Sequence, residues 1–305
     1  MQQRLRAGDD LAYMVTLVAA LTILAVTALL VYELYAHSAL SRHKFGWSFL
    51  VTRTWDPVAE QFGALPFIYG TVVTSVLALL LGIPLGVGAA IFLAELAPPR
   101  ISSGLTFLIE LLAAVPSVIF GLLGVFVLIP ILHKVEDPLR SVLGWTPLFQ
   151  GPFYGVSLLS AGVVLAVMII PFIISISREV ILAVPNEQRE AALALGATRW
   201  ESTWDVVVPY AYKGITGSIF LSLARALGET MAVTMVIGND PKIVTSLFAP
   251  GYSIAAIIAN EFAEAPGELY TSALIELGLV LFALTIVING AARILVASAT
   301  QKAGV

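Results

Sequence analysis

The sequence predicts an all-α membrane protein with six transmembrane helices. The first observation is composition: 59% of the 305 residues are hydrophobic and only 12% are charged, and the mean hydropathy is +0.95. A water-soluble domain of this size could not bury so much apolar surface in one core, so the bilayer must solvate much of the chain. The second observation is that apolar segments long enough to cross a ~30 Å hydrocarbon core alternate with polar segments.

Six apolar segments are predicted to span the membrane. They are residues 11–35, 66–95, 104–132, 156–182, 214–238 and 271–296. The first segment is too long for the ~7–15-residue apolar core of a signal peptide, so we expect it to remain as an anchor. The third contains the break AAVPSVIFG, and Pro171 interrupts the fourth. Pro84 lies inside the second segment and is predicted to kink it.

Two parts of the chain differ in character. Residues 1–66 comprise the first span and an external loop whose tryptophans predict a segment resting on the membrane surface. Residues 67–297 comprise the other five spans and are predicted to form one helical bundle. The loops between spans, besides residues 36–66, are predicted at residues 133–155 and 239–270.

The longest charged passage between apolar spans is residues 185–209, and it carries its own folding signals. Gly196 follows a short helical run at the point where a left-handed terminating residue is usual. Thr198 and Glu201 have the spacing of a capping box, which predicts the start of a second helix. Pro209 is predicted to end that helix. Two short helices joined by glycine would form a rigid polar protrusion, a shape suited to a groove on a soluble partner.

Arg225 and Glu229 are charged residues inside the fifth predicted span. Arg225 lies eleven residues after Gly214, which is ~16 Å into the span and near the middle of the hydrocarbon core. A charge facing lipid there costs at least ~2.5–3.5 kcal/mol, so both residues should face protein or a wet cavity. On a continuous helix Glu229 would lie one turn beyond Arg225 on the same face.

Two interpretations of this pair remain open. A guanidinium suits an oxyanion because its planar fork donates two parallel hydrogen bonds, so Arg225 is a candidate to meet an anionic substrate. Glu229 would then orient the guanidinium or weaken anion binding enough for release. Alternatively, the two residues form a purely structural ion pair. Glu110 and Glu276 also lie in or near spans, but they have no basic partner close in sequence and are interpreted as structural.

Several classes of protein are disfavoured. The chain has no cysteine, and its three histidines lack metal-ligand spacing, so no metal site is predicted. A net charge of −4 argues against a nucleic-acid partner. The chain contains no G-x-x-x-x-G-K-[ST] loop to cradle nucleotide phosphates. It also lacks the paired catalytic carboxylates or histidine motif expected of an intramembrane enzyme.

The passage 185–209 resembles the EAA loop of ABC importer permeases. That loop reads Glu-Ala-Ala, three residues, Gly, nine residues, Ile-x-Leu-Pro. The matching positions here are Glu190, Ala191, Ala192, Gly196 and Pro209, with Val206 and Val208 in place of Ile and Leu. The resemblance implies that this loop couples the chain to an ATP-hydrolysing subunit in the cytoplasm.

A narrower resemblance extends from about residue 62 to the C-terminus. Residues 62–75, 84–98, 112–122 and 224–239 are similar to the PstC family of phosphate ABC transporter permeases. The family implies a type I ABC importer permease (MetI-like) fold and a role for Arg225 and Glu229 in phosphate passage. It implies as partners a similar permease, PstA, a dimer of the ATPase PstB and the phosphate-binding protein PstS. It also implies that this chain is not an enzyme and binds no cofactor, while the ATPase uses ATP and Mg.

Orientation follows from the charge of the loops. Six spans place both termini on one side, and assigning that side to the cytoplasm puts more basic residues inside than outside, as the positive-inside rule expects. The nine inside are Arg4, Arg6, Arg100, Arg178, Arg189, Arg199, Lys213, Arg293 and Lys302, against six outside. We therefore expect a multi-pass protein of the bacterial cytoplasmic membrane. The alternatives are a type I permease for sulfate or molybdate, and an ion-coupled secondary transporter.

Overall fold

The computed structural model describes residues 2–303, and it describes side chains for residues 10–294. Arg4, Arg6 and Lys302, which count toward the predicted orientation, have side chains outside that range. Residues 2–303 form helices and two isolated β-bridges, with no strand among them. Six helical runs are long and apolar enough to cross a membrane: Asp10–His37, Leu65–Leu96, Ser117–Leu143, Leu158–Leu182, Arg199–Leu227 and Glu268–Ile294. The all-α class and the number of spans are confirmed.

Fourteen α-helices follow one another in the described chain. They are α1 Gln2–His37, α2 Ala39–Phe45, α3 Ser48–Val51, α4 Leu65–Ile91, α5 Pro99–Ala113, α6 Ser117–Leu123, α7 Ile129–Leu143, α8 Leu158–Leu182, α9 Asn186–Ala194, α10 Arg199–Ser202, α11 Val208–Leu227, α12 Met231–Val236, α13 Ile254–Glu261 and α14 Glu268–Ala303. Single π-helical turns at Phe92–Leu96, Gly124–Leu128 and Thr203–Val207 extend or join them.

The centre of the bundle is the packing of α4 against α8, with α11 alongside both. Glycines allow the close approach. A Cβ on Gly86 would lie 2.7 Å from Cγ2 of Ile173, and a Cβ on Gly162 would lie 2.7 Å from Cβ of Leu77. Small residues at such crossings let helix backbones approach closely in membranes, where lipid offers no hydrophobic driving force between helices.

α1 packs on α14, and the partly buried side chains in its described part, Val31 and Leu34, lie near its C-terminal end. Ser272 Oγ on α14 donates to the carbonyl of His37 at 2.9 Å and accepts from the N–H of Ser41 at 3.2 Å. Most described side chains of α1 before that point are exposed on this chain. The crossing therefore attaches the N-terminal span to α14 while leaving most of its length facing lipid or another subunit.

The loops at the end of the bundle opposite α9 and α10 are packed around Glu261. Its carboxylate accepts hydrogen bonds from Trp55 Nε1 at 3.0 Å, from Tyr252 Oη at 3.4 Å and from Tyr270 Oη. Burial raises the pKa of Tyr252 to about 12, so its hydroxyl stays protonated and can donate. One carboxylate thus ties the loop after α3, the loop before α13, and α14 together.

The structure corrects the bounds of two predicted spans. The third was predicted as residues 104–132, but α5 ends before Pro116 and the membrane-length run is Ser117–Leu143. The predicted loop 133–155 is therefore helical to Leu143. Pro138 lies inside this helix, and an i,i+4 ion pair from Arg140 Nη2 to Glu136 Oε1 at 2.5 Å bridges it.

The fifth span was predicted as residues 214–238 on one helix, and this is wrong. The helical run Arg199–Leu227 begins far earlier and ends at Leu227, and α12 is a separate short helix beyond residues 228–230. Pro209 does not end the second coupling helix as predicted. The π turn before it lets Val208 N–H bond to the carbonyl of Thr203, so the helix continues through the proline.

Candidate functional site

The predicted coupling loop folds as two short helices, α9 and α10, joined at Gly196. Gly196 has φ +92°, the left-handed conformation that glycine adopts without steric cost. Thr198 Oγ1 accepts from the N–H of Glu201 at 3.3 Å, and the Glu201 carboxylate accepts from the N–H of Thr198 at 2.7 Å. The capping box is confirmed. The protrusion is therefore held by local interactions that the sequence encodes.

The residues of the EAA match lie on α9 and its end. Glu190, Ala191 and Gly196 are exposed, whereas Ala192 is buried against the bundle. On α10 and the following π turn, Trp200 and Trp204 meet edge to face with ring centroids 5.6 Å apart and remain about half exposed. The loop thus presents a carboxylate, small residues and an aromatic pair to its surroundings, while one alanine anchors it.

A largely buried ion pair attaches this loop to the bundle. Arg189 on α9 donates to Glu95 from Nη2 at 2.7 Å and from Nε at 3.1 Å, with the two side chains only 17% and 11% exposed. Its Nη2 also donates to the carbonyl of Ile181 at 2.8 Å, and its Nη1 to that of Val184. Glu95 lies in the π turn after α4, so Arg189 links the loop to the ends of α4 and α8. We call this contact the Arg189–Glu95 clamp.

Arg225 lies in the last turn of α11, and its guanidinium rests on an aromatic ring. Its Cζ is 4.2 Å from the centroid of Phe172 on α8. Phe172 is fourteen residues after the start of α8 and ten before its end, or roughly 21 Å and 15 Å along the axis. Arg225 therefore lies near mid-depth of the bundle, as predicted, although its own helix ends there. Stacking on a ring attracts the cation and leaves its N–H edges free.

Glu229 is not on a shared helix face with Arg225, which corrects the predicted geometry. α11 ends at Leu227 and Gly228 follows with φ −94° and ψ 2°, so the chain turns before Glu229. The Glu229 Oε1 accepts from the N–H of Ala232 at 3.3 Å, at the start of α12. Within residues 10–294 no ion pair joins Arg225 to Glu229, so the alternative of a structural pair finds no support.

Residues 228–230 form a non-helical break between α11 and α12. Non-helical backbone at membrane depth is tolerated only where it is buried in protein or lines a cavity. Arg225 lies in the last helical turn before the break, and Glu229 lies within the break. The interruption of the helix therefore carries an anion and directly follows a turn that carries a cation. The Arg225 Nε is buried and has no hydrogen-bond partner among the residues that the structure describes. A guanidinium with an unpaired N–H group can donate hydrogen bonds to an oxyanion.

Sequence reasoning missed the residues that hold these groups in place. Phe172 directly follows Pro171, but nothing in its own segment points to Arg225 some fifty positions later. The same is true of Glu95 and Arg189, and of the buried hydroxyl pair Ser177 and Ser218, 2.7 Å apart across α8 and α11. Each of the three contacts joins segments that are distant in the sequence, so only the packing of the bundle shows them. Among the described residues, no three His, Asp or Glu side chains cluster to hold a metal ion.

Comparisons with known proteins agree with this architecture. The family described as "Binding-protein-dependent transport system inner membrane component" matches residues 82–301. The phosphate transport system permease protein PstC of Mesorhizobium japonicum is 46% identical over 307 residues, which cover 99% of this chain and 94% of that protein. The PstC protein of Haemophilus influenzae is 44% identical, over 97% of this chain and 95% of its own length.

Solved structures show the same fold at low sequence identity. The MetNI methionine ABC transporter in an inward-facing conformation matches with a TM-score of 0.51 and 16% identity, over 76% of this chain and 93% of that chain. An amino acid ABC transporter matches with a TM-score of 0.50 and 18% identity, over 76% and 92%. The predicted MetI-like fold is thereby confirmed. The chain belongs to the binding-protein-dependent transport system inner membrane component family and, within it, to the PstC-type phosphate transport permeases.

Proposed function

We propose that this chain is the membrane subunit of an ATP-driven importer and that inorganic phosphate passes through it. The observation that carries the proposal is Arg225, a cation near mid-depth of the bundle with a buried Nε lacking a protein partner. A planar fork of N–H donors matches the oxygens of phosphate. The names of the PstC relatives support phosphate over other oxyanions.

Arg225 and Glu229 have separate parts in this proposal. Arg225 meets the anion, and the ring of Phe172 keeps the guanidinium in place between passages. Glu229 lies in the interruption of the fifth span and adds a negative charge beside the path, which weakens anion binding enough for release. Binding that is too tight would slow transport, because each tenfold gain in affinity deepens the well by about 1.4 kcal/mol.

ATP hydrolysis belongs to a partner in this proposal. Glu190, Ala191 and Gly196 contact an ATPase subunit of the PstB kind, which uses ATP and Mg, while the buried Ala192 anchors α9 against the bundle. This chain itself binds no cofactor. A PstA-like permease completes the pathway and a PstS-like protein delivers phosphate from outside. The loop and both termini then face the cytoplasm. Movement of the ATPase reaches α4 and α8 through the Arg189–Glu95 clamp, and alternately opens the path around Arg225 to each side.

The proposal is tested by transport in a defined system. The chain, co-expressed with its permease, ATPase and binding-protein partners, should support ATP-dependent uptake of labelled phosphate into vesicles. A tenfold excess of unlabelled phosphate should compete, and the same excess of sulfate or molybdate should not. Uptake of sulfate instead of phosphate would identify another oxyanion as the substrate. Phosphate uptake without ATP, driven by an ion gradient, would favour a secondary transporter.

A further inference from the structure

We propose that a groove on the lipid-facing side of α14 binds one phospholipid with a zwitterionic, primary-amine headgroup, such as phosphatidylethanolamine. The groove is a cavity of about 630 Å³ between the end of α1, helices α2 and α3, and α14. It lies apart from Arg225 and from the coupling loop, so the transport proposal does not use it. Three features of its lining identify the occupant.

The first feature is an apolar strip on α14. Leu279, Val280, Ala283, Leu284 and Val287 line the groove at helical spacing, starting one turn after Glu276. From residue 276 to residue 287 the helix rises ~16 Å. That length is close to half of a ~30 Å hydrocarbon core, or one leaflet. The strip therefore matches a single acyl chain lying along the helix.

The second feature is a buried carboxylate at one end of the strip. Glu276 is 6% exposed, and its Oε2 has no hydrogen-bond partner among the residues that the structure describes. A buried acceptor without a donor is costly, and a buried charge more so. Glu276 lines the groove, so a ligand there can supply the missing donor. A primary ammonium carries three N–H donors and a matching charge.

The third feature is a guanidinium at the same end. Arg42 is held over the ring of Tyr35, with Cζ 3.6 Å from the centroid, by hydrogen bonds from Nε to Ser38 Oγ at 3.0 Å and from Nη2 to the carbonyl of Tyr35 at 2.6 Å. No hydrogen bond from its Nη1 to the described residues is present. Arginine binds phosphate well, so Arg42 can donate hydrogen bonds to the lipid phosphate while Glu276 accepts them from the lipid ammonium group.

The position of the groove agrees with a lipid headgroup at this end. Trp47 lines it and is 87% exposed, as tryptophans at the membrane–water interface are. An anionic lipid would bring its charge toward Glu276, and an apolar helix of another subunit would offer no hydrogen-bonding partner to Glu276 Oε2 or to Arg42 Nη1. A headgroup with one cation and one anion neutralises both, so charge complementarity favours the zwitterion over either alternative.

The test uses the assembled transporter exchanged into equal amounts of phosphatidylethanolamine, phosphatidylcholine and phosphatidylglycerol. Native mass spectrometry then identifies the lipids that are retained. Phosphatidylcholine is the matched control ligand, because it has the same net charge but no N–H donor. We expect retention of phosphatidylethanolamine at least about tenfold above phosphatidylcholine, as charge-assisted hydrogen bonds are among the stronger ones. Equal retention of the three lipids, or preference for phosphatidylglycerol, would overturn the proposal.

Variants locate the retained lipid. Glu276→Gln should abolish the preference for the primary amine, and Ala283→Trp, which fills the strip, should lower retention of every lipid. Glu268→Gln, an exposed carboxylate at the start of the same helix, is the matched control and should retain lipid as the unmodified chain does. Co-purification of the partner subunits reports assembly of each variant. Unchanged retention in Glu276→Gln, or efficient cross-linking of Ala283→Cys to the partner permease, would contradict a lipid site.

Discussion

At the residue scale, Arg225 is held by an aromatic face, and this leaves its hydrogen-bonding edge available. The distance of 4.2 Å from Cζ to the centroid of Phe172 is short enough for a favourable cation–π contact. A salt bridge would have used the same N–H groups that a substrate needs. Stacking therefore keeps a costly charge in place at mid-depth without blocking the site.

We predict that Arg225→Lys nearly abolishes phosphate uptake while the complex still assembles. Lysine keeps the charge but loses both the planar fork and the flat surface that stacks on Phe172. The measurement is ATP-dependent uptake of labelled phosphate into vesicles. Arg293→Lys, a change of the same kind at an exposed position on α14, is the control and should transport normally. Uptake by Arg225→Lys within twofold of the unmodified chain would contradict the assigned role.

Phe172→Leu tests the stack itself. It keeps apolar bulk but removes the ring, and a cation–π contact of about 0.5–2 kcal/mol predicts a loss in transport efficiency of about 2- to 30-fold. Phe172→Tyr keeps the ring and should stay close to the unmodified chain. If the two variants transport equally well, the ring does not position Arg225.

At the element scale, three π turns precede prolines in the same register. In each, an N–H bonds to the carbonyl five residues earlier, and the next residue is a proline: Ala97 to Phe92, Val208 to Thr203, and Ile129 to Gly124. A proline inside an α-helix clashes with the carbonyl four residues before it and cannot donate to it. The wider turn accommodates the proline ring. The helix therefore continues through Pro130 and through Pro209, whereas Pro98 follows the end of the second span.

The Arg189–Glu95 clamp should transmit force between the coupling loop and α4. We predict that Glu95→Gln and Arg189→Gln each lower phosphate uptake strongly while ATP hydrolysis continues, since the loop no longer moves with the spans. Removing one partner of a buried pair costs about 3–5 kcal/mol, and both side chains are largely buried here. Arg199→Gln, at an exposed arginine on α10, serves as the control. If both clamp variants keep the unmodified ratio of phosphate uptake to ATP hydrolysis, the clamp does not transmit the movement of the coupling loop to the spans.

Gly196 tests the shape of the loop. A Cβ at this position would meet no heavy atom within 4 Å, so Gly196→Ala suffers only the cost of the left-handed conformation, about 1–2 kcal/mol. We expect a moderate fall in uptake for alanine and a severe fall for Gly196→Pro, whose φ is confined near −65°. The ratio of uptake to ATP hydrolysis measures coupling. Equal ratios for alanine and proline would mean that the turn at Gly196 is not required.

At the scale of the whole molecule, the prediction is orientation: both termini and the coupling loop face the cytoplasm. The chain has no cysteine, so single cysteines report the side directly. Thr198→Cys should react with an impermeant reagent only in opened cells, and Ser48→Cys should react in intact cells. Ser48 is exposed, whereas Ser41 in the same loop is fully buried and would make a poor probe. The reverse pattern of labelling would invert the topology.

Local patterns were enough to predict the class of the protein and parts of its site. Apolar length and composition determined six membrane helices, because spanning a bilayer requires about twenty apolar residues in each. The capping box and Gly196 determined the coupling loop, because both act within a few residues of the chain. The division at residue 66 and the roles of Glu190, Ala191, Ala192, Arg225 and Glu229 remain predictions.

Tertiary structure decided what depends on contacts between distant residues. Its apolar residues predict a continuous fifth span, yet the helix ends at Leu227 and the chain resumes as α12. That helix packs on α6, where Gly121 leaves room for Met235. Phe172 beneath Arg225 and Glu95 against Arg189 lie on other spans, and no local pattern encodes such pairs. The physical reason is that hydropathy and capping act along one helix, whereas the depth, partners and breaks of a buried charge depend on how several helices pack.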